Sequence, residues 1–303
     1  MPREDYNIFM AMSQRIGQDS KGNSVFVLDG NGNSTGVLNH DLNEIADAYI
    51  DFLSGNEHQK SEYIFTIKKS EVKDHININP QHYSPKLNAA LDSVLAFDNK
   101  DNWATTTVGQ LEAGIRIYIG PRWNSASIKV DNPTDTSNLV PYLTANAALE
   151  LRRFTVKWLD ARKANPQQRQ CIDMLKIHEG DILISRSGTI GKVTYATKDL
   201  AENYIVSDDL VRIRVKDANL RAYLLAYFTS STALALMLLD EYGSVQQHLQ
   251  PRHIQEMLIP VPDDWSLAQD MIDAGNMFIK AMEDMSKADR KIRTQGFDAL
   301  IAE

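Results

Sequence analysis

The most regular pattern in the chain lies near its C-terminal end. Beyond Trp265, the residues Leu267, Met271, Ala274, Phe278, Ala281, Met285, Ala288 and Ile292 are spaced 4, 3, 4, 3, 4, 3, 4. An apolar repeat of 3.5 residues predicts one long helix whose seam stays turned toward a second helix. One set of seam positions is large (Met271, Phe278, Met285, Ile292) and the other small (Ala274, Ala281, Ala288), which permits close approach. These seven are the candidate helix-pairing residues.

Upstream the texture differs. From about residue 97 to 264 the chain consists of short apolar runs separated by turn residues. Strands are predicted at Ile115–Ile119, Ser127–Val130, Asp181–Ser185, Lys192–Tyr195, Tyr204–Val206 and Leu210–Val215, and helices at Ala145–Phe154 and Arg221–Leu239. The polar stretch 160–171 reads as a loop. Nearer the start, Tyr6–Met12 reads as a short apolar helical stretch, and Ser24–Leu28 as one arm of a hairpin between two Asp/Gly/Asn turns. Leu42, Ile45, Tyr49 and Phe52 share one face of a helix with Asp41 at its N-cap. The segment 54–85 is a connector holding one strand, Tyr63–Lys68, and Leu87, Leu91, Val94 and Leu95 mark a further helix.

Composition narrows the functional classes. With 43% apolar residues in 303, the chain has ample material for a packed core. The most apolar run, Leu224–Leu239, is interrupted by Thr229–Thr232 and flanked by Arg221 and Asp240, so it reads as a buried helix rather than a membrane span. The charged start Met1–Asp5 is unlike a secretory signal, and the single Cys171 forms no intrachain disulfide; a reducing, cytoplasmic setting is expected. No phosphate-binding glycine loop, GxSxG or HExxH occurs, and the seven histidines are scattered, so no metal or cofactor is expected. Asp208-Asp209 reads as a turn between strands.

The net charge is −8, which excludes a uniformly basic surface and leaves room for a local one. Between Glu150 and Gln170 six basic residues (Arg152, Arg153, Lys157, Arg162, Lys163, Arg169) face two acidic ones, with Phe154, Trp158 and several Asn and Gln interleaved. Tyr118, Arg122, Trp123 and Asn124 form a smaller cluster of the same kind. Arg, Asn and Gln can each make two hydrogen bonds to one base edge in a major groove.

The segment Gly180-Asp181-Ile182-Leu183-Ile184-Ser185-Arg186-Ser187-Gly188-Thr189-Ile190-Gly191-Lys192-Val193 resembles the target recognition domain of type I restriction–modification specificity subunits. The likeness continues in order through Tyr204–Arg214, Arg221–Leu239, Gly243–Leu249 and Ile254–Pro262. The helix after 265 stands where that family places its spacer helix. Residues Ile8–Met12, Arg15–Asp19, Gly22-Asn23 and Asp41–Ile45 resemble instead the C-terminal end of the adenine-N6 methyltransferase subunits of such systems. The catalytic Asn-Pro-Pro-Tyr/Phe motif and a glycine-rich cofactor loop of those enzymes are missing from this sequence.

The resemblance implies an α+β fold: a twisted, mostly antiparallel, β-rich recognition domain with packed helices, followed by a long coiled-coil-type helix. It implies four regions: a methyltransferase-end-like segment at 1–60, a linker with a lead-in helix at 61–96, the recognition domain at 97–264 and the spacer helix at 265–303. It also implies a non-catalytic, sequence-specific DNA module whose partners are double-stranded DNA, an adenine-N6 DNA methyltransferase subunit and a restriction subunit. A complete specificity subunit has two recognition domains and two spacer helices; this sequence shows one of each, so a homodimer or a second recognition half is expected. Arg186, Thr189 and Lys192, in a tight loop of the shared pattern, are candidate phosphate contacts. Tyr118, Arg122, Asn124, Arg152, Arg153, Lys157, Arg162, Lys163 and Arg169 are candidate base readers, and Gln246, Gln247 and His248 complete the candidate DNA surface. The competing function is a scaffold that binds methyltransferase subunits through the heptad helix and reads no DNA.

Overall fold

The structure, a computed structural model, describes residues 5–19, 21–56, 61–72, 78–111, 114–150, 156–238 and 248–295, the side chains at 81, 82 and 293–295 aside. The chain divides into two compact units, Met1–Ala90 and Leu91–Glu303.

The first unit contains β1 (Asn7–Ala11), β2 (Phe26–Leu28), β3 (Ser34–Leu38), α1 (Leu42–Ser54) and β4 (Ile64–Lys68); α2 (Pro85–Leu95) runs across the divide. β1 pairs antiparallel with β4, from Asn7 opposite Lys68 to Ala11 opposite Ile64. The helical reading of residues 6–12 is therefore corrected to a strand. A short apolar run has no periodicity of its own, and here burial of Met10 against Phe65, Ile67 and Tyr83 decides the matter. β2 and β3 form the expected hairpin, its turn pinned by Asp29, whose carboxylate accepts the Asn31 and Asn33 N–H groups at 2.9 and 2.8 Å. Asp41 stands at the start of α1 without capping it. Its carboxylate is taken by Ser13 Oγ and by the N–H groups of Gln14 and Arg15, so it ties the helix start to the preceding loop.

The second unit follows the order β5 (Trp103–Thr107), β6 (Arg116–Ile119), β7 (Lys129–Val130), β8 (Val140–Leu143), α3 (Ala145–Leu149), β9 (Lys157–Leu159), α4 (Pro166–Met174), β10 (Ile182–Ser185), β11 (Val193–Tyr195), α5 (Lys198–Asn203), β12 (Ile205–Val206), β13 (Leu210–Arg214), α6 (Ala218–Phe228), α7 (Ser231–Met237), α8 (Pro251–Glu256), β14 (Leu258–Pro262) and α9 (Gln269–Gln295). One sheet has the order β11-β10-β13-β6 and is antiparallel throughout. A second has the order β12-β8-β9-β7, with one parallel pair, β12 beside β8. A separate ribbon joins β5 to β14. The expected α+β, mostly antiparallel fold is what the structure shows.

β10 is buried at every position, as its unbroken Ile-Leu-Ile run requires of a central strand. Two clusters make the core: one around Leu143, Ile177, Leu183, Leu200, Val206 and Leu210, the other around Ile128, Tyr142, Leu159, Ile172, Leu175 and Ile205. α6 is apolar nearly all round and buried, its start capped by Asp217, which accepts the Leu220 N–H at 2.7 Å. The single helix expected over Arg221–Leu239 is two helices: α6 ends at Phe228 with Thr229 as its C-cap, and Ser230 caps α7 by accepting the Ala233 N–H. Serine and threonine compete with the helix for backbone partners, and here they end one helix and start another. The predicted strand at 127–130 is present only as Lys129–Val130, with a 3-10 turn, Ala126–Ile128, before it, and α3 stops at Leu149. The stretch read as a loop at 160–171 holds a 3-10 turn, Ala161–Lys163, and most of α4. Among the described residues no helix is long and apolar enough to cross a membrane.

α9 packs on α6. Its buried positions are Ile272, Gly275, Ser286 and Asp289. The heptad seam lies on other positions, and Met271, Ala274, Ala281, Met285, Ala288 and Ile292 are exposed, with Phe278 half-buried. Helix and domain meet closely at Gly275, where an added Cβ would overlap the Ala222 carbonyl of α6. A main-chain carbonyl in a buried helix cannot swing aside. Gly275→Ala is expected to destabilise the second unit by about 1–3 kcal/mol; thermal unfolding monitored by circular dichroism checks this, with a melting temperature several degrees lower than the parent's.

Candidate nucleic-acid interface

Two of the segments singled out in the sequence meet in the second unit. β9 ends at the fully buried Leu159, and the next residue, Asp160, donates its N–H to Ile128 O at 2.8 Å. The Asp160 carboxylate then turns the chain: it accepts the Arg162 N–H at 3.1 Å and holds the Arg162 guanidinium through Nε at 2.8 Å and Nη2 at 3.0 Å. These bonds keep the Asp160 carboxyl below its ordinary value and raise that of Arg162, so both stay ionised near neutral pH.

α4 begins with a reciprocal cap. Asn165 accepts the Gln168 N–H at 2.8 Å, Gln168 Oε1 accepts the Asn165 N–H at 3.1 Å, and Pro166 sits in the first turn. This cap leaves the Gln168 amide nitrogen free to reach across the loop after β6, where it donates to Asn124 O and to Ser127 Oγ, both at 3.0 Å. Trp123 anchors the same loop, edge-on to Tyr142 at 6.2 Å and against the Ile128 cluster. Arg122, Asn124, Lys157, Arg162, Lys163 and Arg169 all stay exposed. Arg169 is steadied by Nε donating to Ala164 O at 3.1 Å. The structure thus gathers Asn124, Arg162 and the start of α4 around one loop pair, braced by a glutamine and a buried aspartate.

Tyr118 is placed differently. It is half-buried on β6, with its hydroxyl between Asp181 and Arg214 and the Arg116 guanidinium 4.7 Å from its ring centre. Burial, and then the Asp181 charge, push its phenol above the ordinary value. Arg214 closes the network with two bonds to Asp181, at 2.8 and 2.9 Å. Beside it Arg212 is fully buried. Its guanidinium donates to Met174 O and Lys176 O, at and just beyond the end of α4, and to Val206 O and Ser207 O, at and just beyond the end of β12.

Of the three phosphate candidates, Arg186 has another task. It is buried, its Nε donates to Leu249 O at 3.2 Å and its Nη1 to Asp208 O at 3.5 Å, so it joins three loops instead of presenting a free cation. Thr189 and Lys192 remain exposed on a turn that Ser185 Oγ braces, donating to Thr189 O and accepting the Lys192 N–H. Asp208, whose carboxyl is pushed up mainly by burial, belongs to the turn expected between β12 and β13. His248 is half-buried beside Leu249. Arg152, Arg153, Gln246 and Gln247 lie outside the described residues.

Asp160 was missed by sequence reasoning, which counted it only as an acid opposing the basic run. The signal that could have located the bracing is the run Asn165-Pro166-Gln167-Gln168, a capping box in sequence. Among the described residues no group of three His, Cys, Asp or Glu side chains is placed to hold a metal ion.

The model of the type I restriction modification DNA specificity domain matches residues 119–272, half of the chain, and the chain belongs to that family. The curated proteins compared with it give no match. Similar solved structures include the HsdS subunit from Thermoanaerobacter tengcongensis, at 16% identity and a TM-score of 0.40, covering 71% of this chain and 48% of that one. The type I restriction–modification S subunit from M. genitalium gives 13% identity and a TM-score of 0.40 over 65% of this chain and 45% of that one. The type IIG restriction endonuclease BpuSI gives 13% and 0.43 over 78% and 33%. The chain spans about half the length of the HsdS subunit it matches.

Arg212 has the clearest testable weight in this region. Arg212→Met keeps an unbranched side chain of similar length but leaves several inward-facing carbonyls without a donor, each costing about 1–3 kcal/mol when dry. A loss of at least about 2 kcal/mol in urea unfolding is expected, with β12 and the end of α4 losing amide protection first in hydrogen exchange.

Proposed function

We propose that this chain is the DNA-reading module of a restriction–modification assembly, and that it directs an adenine-N6 methyltransferase, with an associated nuclease, to a target sequence. The observation that carries the reading is the bridge from Gln168 to Asn124 and Ser127, which unites the two Arg/Asn/Gln-rich segments on one braced rim. Sequence reading needs side chains held at fixed positions by a rigid scaffold, whereas chemistry on a flipped base is the task of a separate active site. Lys157, Lys163 and Arg169 serve as phosphate contacts, as do Thr189 and Lys192 on the braced turn; Arg122, Asn124 and Arg162 face the bases. Residues 1–60 act as the methyltransferase-end segment, a role carried by the sequence resemblance alone.

The exposed heptad seam of α9 favours a second, compatible role in assembly. A large and small alternation left in solvent on a helix whose other side packs on α6 is an unfilled half of a helix pair. We assign it to a second recognition half, supplied by another copy of this chain. A two-fold arrangement presents one reading surface twice, so its target is an interrupted palindrome.

Three outcomes test this reading. Fluorescence anisotropy with random duplexes is expected to show binding that weakens steeply with salt. Replacing Lys157, Lys163 and Arg169 together by alanine should flatten the slope of log affinity against log salt by up to about three units while weakening all sequences alike. Second, Ala281→Glu, a charge in the narrow part of the seam, is expected to abolish dimers in analytical ultracentrifugation without altering the melting of the second unit. A parent that stays monomeric, with or without a methyltransferase subunit, counts against the assembly role. Third, pure chain incubated with labelled S-adenosylmethionine and mixed DNA is expected to transfer no methyl group.

A further inference from the structure

We propose that Asp160 is a positioning residue that holds Arg162 as a fork for reading a guanine. The inference rests on the reading of this rim as the DNA-contacting surface. It starts from an asymmetry in the ion pair: the Arg162 side chain is 69% exposed, while the carboxylate that grips it is 6% exposed. Ordinary surface pairs join two mobile side chains and contribute little. Here one partner cannot move, because Asp160 is tied through its N–H to Ile128 O and through its carboxylate to the Arg162 N–H.

The bonds used are those of Nε and Nη2, which form the side edge of the guanidinium. Among the described residues Nη1 donates to nothing. Two of the five N–H groups are therefore spent, and the end edge, one N–H on each terminal nitrogen, is left as a parallel pair of donors aimed away from the buried carboxylate. Guanine O6 and N7 offer the matching pair of acceptors in a major groove, whereas adenine puts an amino donor where O6 would be.

A phosphate grip would not need this arrangement, since a point charge on a flexible stem serves as well. The neighbouring Lys163 shows the contrast: its ammonium lies 3.9 Å from the same carboxylate, too far for a hydrogen bond, and stays exposed. Holding an arginine in its reading geometry before DNA arrives lowers the ordering cost of the contact.

The experiment is selection of the full chain on duplexes with a randomised core, followed by anisotropy on the enriched sequence and on single-base variants of it. The parent is expected to enrich a sequence with a fixed guanine whose replacement by adenine costs roughly 5- to 100-fold. Arg162→Lys keeps the charge and should keep the salt slope, yet lose the preference at that one position. Asp160→Asn, whose side-chain oxygen can still accept the turn N–H, should lose the same preference while Arg162 is intact. If that variant does not fold, Arg162→Lys decides, since the side chain it changes is exposed. Asp160→Asn that melts lower but keeps every base preference shows a turn cap only and overturns the proposal. Preference retained in Arg162→Lys, or lost at a base other than guanine, overturns it too. A parent that enriches no sequence overturns the DNA-reading assignment itself, and this inference with it.

Discussion

The second unit depends on one buried cation. Arg212 sits at the centre of β13, on the sheet face that also carries Leu183 and Tyr118, and it is fully buried without a carboxylate in hydrogen-bond contact. Burial, and to a lesser degree the like charge of Arg214, push its guanidinium below the ordinary value. What keeps it charged is a set of main-chain carbonyls, one of them Met174 O at the C-terminal end of α4, where unpaired carbonyls and the negative end of the helix dipole favour a cation, and another Lys176 O two residues further on. One side chain therefore locks the first sheet to α4 and to the strand β12 of the second sheet. The space is closed down to the backbone, since a Cβ at Gly120 would come within 2.8 Å of Arg212 Nη2.

This lock has a functional corollary. α4 carries Gln168 and Arg169 at its start, and Arg212 fixes its end, so the amide that braces the Asn124 loop is positioned by a contact at the opposite end of the helix. Ile172 and Leu175 bury the middle of the same segment in the second core cluster. The loops of the exposed rim are thus tied to the core through Gln168, Ile172 and Leu175, without contacts among the basic side chains themselves.

How far the sequence revealed this depended on whether a residue's partner was local. The strands β10, β11 and β13 were legible because a short apolar run between turn residues has few other uses in a chain of this texture. β1 was not, since its four apolar residues, Ile8–Ala11, carry no period and only pairing with β4, more than fifty residues on, selects the strand. β5 and β9 were overlooked for a related reason: Trp-Ala-Thr-Thr-Thr and Lys-Trp-Leu contain too few apolar residues to stand out before a neighbouring strand is known. α4 read as a loop because it buries little beyond Ile172, though its cap was spelled out in Asn165 and Gln168. At the candidate site the residue types were legible and their tasks were not. Arg186 and Arg162 look alike in sequence, yet one is folded inward onto Leu249 and Asp208 and the other is pushed outward by Asp160.

The long helix shows why a period can be right and still incomplete. Its seam runs through 271, 274, 278, 281, 285, 288 and 292, exposed except at the half-buried 278, and the side toward the domain through 272, 275, 286 and 289, one residue further along the same spiral. Two faces offset by one residue are rotated by about 100°, so α9 can dock on α6 with one and offer the other without conflict. On the docked face Ile272 is buried, and Gly275 brings the two backbones together. That close contact fixes the direction of α9 relative to the recognition sheet. The seam on the exposed face is carried in the same direction, because both faces belong to one helix.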